Sequence, residues 1–312
     1  MMLSSKKMKM SKKERIFVLL NMNIKFHISL KMKNLVIVFV LLGFIFSGCR
    51  RKPDVGDERQ AVIFFLTRSL AASSSKSSAT EEEKLIKKIK MFGVDENNNV
   101  IRSFDVIENP SLTNGIRYVF SSSVKSLYAI ANPSDALVAA NPSNVSDLLA
   151  LTDDFTNAPE SPFLMSGRAA VTSYTVNIEM VRSIAKVVVT GEDGFKVQSV
   201  TVKNTPTRGF VFAQPSLTIP SSGRVNYPEN VNTTLYVAEN SRQNQTTLTV
   251  KGTVNDKPLE VDVLFTVNQT LVDIVRNTVY SIFISSRNQF LDVNITIRDW
   301  DDVEIDRIYF DD

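Results

Sequence analysis

Thiols and imidazoles carry most of the nucleophilic and metal chemistry open to a protein, and this 312-residue chain has one of each, Cys49 and His27. Cys49 closes the run Phe46-Ser47-Gly48-Cys49, behind an uncharged apolar segment, Leu35 to Phe46, that follows Lys31 and Lys33. A basic start, a short apolar core and small residues before a cut are the parts of a secretory signal. The core is too short to span a bilayer comfortably. Cleavage between Gly48 and Cys49 would make residues 32–48 the signal and Cys49 the first residue of the mature chain; the alternative is an uncleaved anchor or a buried N-terminal helix. His27 leaves with the signal, which removes Ser-His-Asp and Cys-His nucleophilic sites and nearly all zinc sites. A single cysteine also excludes an internal disulfide. Paired carboxylates or an activated lysine remain, and their spacing singles out neither. No enzyme, catalytic residue, metal ligand or cofactor is expected.

Ser47-Gly48-Cys49 after an apolar core resembles the lipobox of bacterial lipoproteins, whose signal is cut before a cysteine that has received lipid. That resemblance implies acyl chains such as palmitate on Cys49, an outer-membrane attachment, and no free thiol. Residues 1–31 are basic and Met-rich and precede a complete signal, so they read as an upstream extension with translation starting at Met32, or as a long cytoplasmic start. Residues 1–48 hold nine of the 36 Lys and Arg and one of the 33 acids, so residues 49–312 carry 27 basic and 32 acidic side chains, net −5. Nucleic-acid binding, which needs clustered Lys and Arg on the folded part, is not expected.

The elements beyond Cys49 are mostly strands. Ala61 to Leu66, AVIFFL, is apolar at every position, the pattern of a strand buried on both faces, with part of a buried helix as the alternative for so short a run. It is followed by Arg68 and a Ser/Ala-rich connection, SLAASSSKSSATEEEK, without apolar periodicity. Leu85 to Phe92, a turn at Asp95 to Asn99, and Val100 to Ile107 read as a hairpin. Asn144 to Leu151 reads as a short helix capped by Ser143 or Ser146. Tyr174 to Thr190 and seven later Val/Ile/Thr/Phe-rich runs alternate with turn signals at intervals typical of sandwiches and barrels. The expected fold is all-β: two tandem antiparallel Greek-key sandwiches with one or two short helices, residues 49–167 and 168–312.

Six stretches in order resemble the fimbrillins, type V pilin subunits of Bacteroidales. They are the Ser-Gly-Cys signal end, SLYAIANP (Ser126 to Pro133), FLMSG (Phe163 to Gly167), VRSIAKVVV (Val181 to Val189), IVRNTVYSIFI (Ile274 to Ile284) and ITIRDW (Ile295 to Trp300). Read as chemistry, Arg182 and Lys186 are ordinary surface charges, and Tyr280 and Trp300 are buried aromatics with hydrogen-bonded polar atoms. A sugar-binding Trp300 is the alternative.

The resemblance implies a transthyretin-like fold and assembly by strand exchange. A lipid-anchored precursor would be cut by an extracellular Arg-specific or trypsin-like protease, lose its first strand, and have the groove refilled by another copy or a related subunit. AVIFFL is then a detachable edge strand and Arg68 the maturation site, with Lys76 a second candidate, while Arg102 and Arg117 lie in strands. The tail Val303 to Phe310, with Val303, Ile305 and Tyr309 on one side interrupted by Arg307, is the candidate donor, or else the last edge strand of the second sandwich. The expected role is a structural subunit of a cell-surface fimbrium. Alternatives are an anchor, a tip adhesin that binds a host or bacterial surface receptor, and a free-standing glycan-binding lipoprotein.

Overall fold

A computed structural model of the protein describes residues 58–67, 79–287 and 290–300. From the N-terminus come β1 (Glu58–Thr67), β2 (Lys88–Val94), β3 (Val100–Ser103), β4 (Ile107–Glu108), β5 (Ile116–Ser121) and β6 (Ser126–Ala131). Two short helices, α1 (Asp135–Ala139) and α2 (Val145–Leu149), precede β7 (Thr152–Asp154), β8 (Met165–Ala170) and β9 (Thr175–Arg182). The remainder is β10 (Ile184–Glu192), β11 (Phe195–Lys203), β12 (Thr205–Pro206), β13 (Arg208–Phe210), β14 (Arg224–Val225), β15 (Thr234–Ala238), β16 (Thr247–Val254), β17 (Lys257–Leu264), β18 (Thr266–Val267), β19 (Thr270–Leu271), β20 (Thr278–Arg287) and β21 (Phe290–Asp299). The fold is all-β with two small helices, as the strand-like runs led one to expect.

Among the described residues the first sheet runs β3-β2-β6-β8-β9-β1-β5, with β4 beside β2. One face buries Ile63, Phe65, Ile89, Met91, Leu127, Ile178 and their neighbours in a core of aliphatic and aromatic side chains. On the other, Phe92, Tyr128 and Ile130 pack against Leu137 of α1 and Leu148 of α2. The expected boundary between residues 167 and 168 falls inside β8, a strand of this sheet.

A second core, built from Val187, Leu235, Val250, Phe265, Tyr280 and Ile282 among others, lies between the four-stranded sheet β15-β10-β20-β21 and the three-stranded sheet β11-β16-β17. Most pairings are antiparallel. Two are parallel, β1 with β9 and β10 with β20, so both large sheets are mixed rather than purely antiparallel.

The single strand expected from Tyr174 to Thr190 is two strands in two sheets. Along β9 the buried positions alternate, Val176, Ile178, Met180, Arg182, whereas from Ile184 to Val187 four successive residues are buried. That slip of phase is the change of sheet, and the Ser183 amide is tied at the break to the Leu164 carbonyl at 3.0 Å. The helix Val145–Leu149 is capped by Asn144, not Ser143 or Ser146: the Asp147 amide donates to Asn144 Oδ1 at 3.0 Å, and the Ser143 amide to Asp147 Oδ2 at 2.9 Å. Asn144 is the residue with extended backbone just before the first helical one, which is the position a cap must occupy.

Candidate assembly site

Strand β1 inserts its alternate residues Ala61, Ile63 and Phe65 into the first core, each no more than 2 % exposed. Val62, Phe64 and Leu66 face the other way and are half-buried. Gly115 lies under that outer face with φ +63°, and a β-carbon there would come within 2.8 Å of Val62 Cγ1 and 3.0 Å of the Phe64 ring. Only glycine combines that backbone conformation with so close an approach.

AVIFFL is therefore not an edge strand, and the detachable-edge expectation is corrected. It is one strand in from the edge, between β9 and β5. The physical reason lies in the two sequences. An edge is tolerated where polar residues guard it, and β5 exposes Arg117, Val119 and Ser121 on one side. A run apolar at six consecutive positions calls for cover on both faces, which an interior place in the sheet supplies better than an edge. The registers are staggered: Glu58 to Ile63 pair antiparallel with Ser121 to Ile116, and Val62 to Thr67 pair parallel with Thr175 to Met180. Val62 and Ile63 alone are paired on both sides. Among the described residues β5 pairs with no strand other than β1. Taking β1 away would leave two unpaired edges and a slot, and would detach β5 from the ladder.

Gly48, Cys49, Arg68, Lys76 and the tail from Val303 to Phe310 lie outside the described residues. Arg102 and Arg117 lie in β3 and β5, paired opposite Gly93 and Val62.

A second constellation begins at the far end of the Ser/Ala-rich connection. Glu83 is 2 % exposed. Lys186 Nζ approaches its Oε1 to 2.8 Å, the Tyr236 hydroxyl donates to the same oxygen at 2.7 Å, and the Trp300 indole N–H donates to Oε2 at 3.2 Å. The Thr80 amide also donates to Oε2, at 2.9 Å, while the Glu83 amide donates to Thr80 Oγ1 at 3.2 Å. Arg182 donates from Nε to the Glu83 carbonyl at 3.0 Å and from Nη1 to Asn277 Oδ1 at 3.1 Å, with its guanidinium 4.9 Å from the Trp300 ring centre. Phe163 packs beside Tyr236, which stacks on Trp300 with an interplanar angle of 6°. Burial alone would push the Glu83 carboxyl up; the hydrogen bonds from Lys186, Tyr236 and the Thr80 amide, with the Lys186 charge, hold it below the usual value instead. Burial, then the hydrogen bond and charge of Glu83, push the Tyr236 hydroxyl up.

Arg182 and Lys186 are thus buried, at 0 % and 8 % exposed, and not the surface charges expected of them. Strand alternation cannot reveal this, because their partner is more than ninety residues away. Glu83 had been absorbed into a connection without periodicity. Its one local signal is Thr80-x-x-Glu83, the reciprocal pattern of a capping box. Four of the stretches that carry the resemblance meet here, through Phe163, through Arg182 and Lys186, through Asn277, and through Trp300. The buried Trp300 is unavailable as a sugar platform. Tyr280 is buried as expected, its hydroxyl donating to the Asp273 carbonyl at 2.8 Å.

Among the described residues no group of acidic, His or Cys side chains is arranged to hold a metal, and no helix is long and apolar enough to cross a membrane. The sequence model of the major fimbrial subunit protein (FimA) family matches residues 62–260. The chain belongs to that family. No curated protein matches it. Solved structures share the fold of this FimA-family chain at low identity. A cell-adhesion candidate from Bacteroides eggerthii DSM 20697 superposes with a TM-score of 0.59 at 14% identity, covering 78% of this chain and 97% of its own. A fimbrial assembly protein from Parabacteroides distasonis ATCC 8503 gives 0.54 at 15%, covering 78% and 100%. The tip fimbrial protein Mfa3 from Porphyromonas gingivalis, truncated at its C-terminus, gives 0.53 at 14%, covering 78% and 98%. Membership makes the chain a fimbrial subunit, a structural and adhesion protein rather than an enzyme, which assembles with other fimbrial subunits in an extracellular fibre.

Proposed function

We propose that the protein is a shaft subunit of a cell-surface fimbrium, exported as an outer-membrane lipoprotein on Cys49, cut after Arg68 by an extracellular Arg-specific or trypsin-like protease, and polymerised by donor-strand exchange. The observation that carries this reading is the staggered, two-sided pairing of β1, immediately before Arg68. Removing β1 uncovers the cavity left by Ile63 and Phe65, about 1.5–3 kcal/mol of apolar burial for each, and two rows of unpaired backbone groups. A slot with hydrogen-bonding edges on both flanks suits an extended segment from another molecule.

The tail offers such a segment. Ile308-Tyr309-Phe310 repeats the order of Ile63-Phe64-Phe65, an apolar branched residue, an aromatic and a phenylalanine. Seated in the register of β1, it would turn Ile308 and Phe310 inward and Tyr309 toward Gly115, with Asp306 at the place of Ala61. This phase differs from the one that puts Val303, Ile305 and Tyr309 on the inner side, where Arg307 interrupts the apolar row. We further infer a two-domain organisation divided at Ser183, where the chain leaves the first sheet, in place of residue 167.

N-terminal sequencing of subunits recovered from fibres tests the shaft reading. Chains beginning at Ser69 are the expected result; chains still beginning at lipidated Cys49 would overturn it and favour an anchor.

A further inference from the structure

The residues that follow the proposed cut are stitched to distant parts of the chain. Ser161 Oγ donates to the Glu82 carbonyl at 2.7 Å, Arg182 Nε to the Glu83 carbonyl at 3.0 Å, and Asn132 Nδ2 to the Leu85 carbonyl at 2.8 Å. The Lys87 amide donates to Asn132 Oδ1 at 2.8 Å. Ala79 is buried with Phe155, Phe163, Ile184, Ala238, Val279 and Trp300. At the centre is the Glu83 carboxylate, and one of its donors, Trp300, is the last residue before the tail 301–312. The segment where the cut connection ends and the residue where the tail begins are therefore held by one buried carboxylate.

We propose that Glu83 is the positioning residue for maturation: it sets the downstream limit of proteolysis and fixes the root of the tail, so that cutting releases β1 and nothing beyond Ala79. The proposal rests on the maturation reading above. Its chemistry is that of access. Lys84, Lys87, Lys88 and Lys90 follow Glu83 closely and are all substrates for a trypsin-like enzyme by residue type. A protease needs several residues drawn out into its cleft, and it cuts a folded segment in proportion to how often that segment opens. Opening residues 80–85 requires withdrawing Glu83 from Lys186, Tyr236 and Trp300 together, which leaves Lys186 buried without its carboxylate. Upstream, Arg68 and Lys76 lie before this stitched segment.

The test uses the purified protein and its Glu83→Ala and Glu83→Gln variants, each shown by melting to be folded, with Tyr236→Phe as a milder change should Glu83→Ala not fold. Limited trypsin treatment followed by N-terminal sequencing should leave the parent beginning at Ser69 or Ser77. Glu83→Ala should be trimmed on to Leu85 or further. Hydrogen exchange of the uncut proteins should rise by about tenfold or more in both 80–85 and 295–300 in Glu83→Ala, and less in Glu83→Gln. A folded Glu83→Ala with the parental N-terminus and parental exchange in both segments would overturn the proposal. A parent resistant to cutting between 68 and 78 would instead remove the maturation reading. Coupled exchange of the two segments would then still uphold Glu83 as their common tether.

Discussion

Trp300 donates its indole N–H to Glu83 across 217 residues of sequence, at 3.2 Å in a buried setting. The contact ties the turn at the far end of the Ser/Ala-rich connection to the residue after β21. A carboxylate buried this far is stable only when donors surround it. Here they come from β10, β15 and the residue after β21, with Arg182 of β9 on the same turn.

The charge of Glu83 makes the cluster sensitive to acid. Its folded-state pKa lies below the ordinary 4.5, so its contribution is fully present above that value and is lost as pH falls through the lower, folded one. Glu83→Gln should destabilise the protein by about 3 kcal/mol at pH 7. Melting curves from pH 7 down to pH 3 should show the gap between parent and variant narrowing only below about 4.5.

Gly115→Ala should weaken the protein through β1. The added methyl meets Val62 and Phe64 at van der Waals overlap, and the backbone at φ +63° disfavours any β-carbon. A loss of about 1–3 kcal/mol is expected, read from the midpoint of urea unfolding.

Such positions mark where sequence reading succeeds and where it stops. The strands were legible because apolar runs and turn residues repeat locally: Asp95 Oδ1 accepts from the amides of Asn97 and Asn99 in the β2–β3 turn, as its composition suggests. The alternation Ala61, Ile63, Phe65 gave the inward face of β1. Which strand stands beside it was not legible, since β5 and β9 are chosen by sheet topology. The same limit hid the cluster. Arg182 and Lys186 look like surface charges until a carboxylate from residue 83 is folded against them.

Ile308→Asp with Phe310→Asp should abolish fibre growth while the monomer keeps its melting temperature. Electron microscopy of processed protein, with melting of the unprocessed form as control, separates an assembly defect from a folding defect.

Arg68→Ala, combined with Lys76→Ala for a protease of broader specificity, should leave full-length lipidated precursor on the cell and no fibres, read by N-terminal sequencing of membrane fractions. Cys49→Ser should abolish incorporation of labelled palmitate without altering the melting temperature of the soluble part.

In the proposed strand exchange, the offset between the two ladders on β1 would also set an order of events. Phe64 to Thr67 are held by β9 alone, Glu58 to Ala61 by β5 alone, and only Val62 and Ile63 by both. A chain severed beyond Thr67 can unzip from its carboxyl end by surrendering one ladder at a time, meeting its steepest resistance midway. A competitor that gains a foothold along β9 could displace it stepwise, and neither strand need ever leave the whole slot empty.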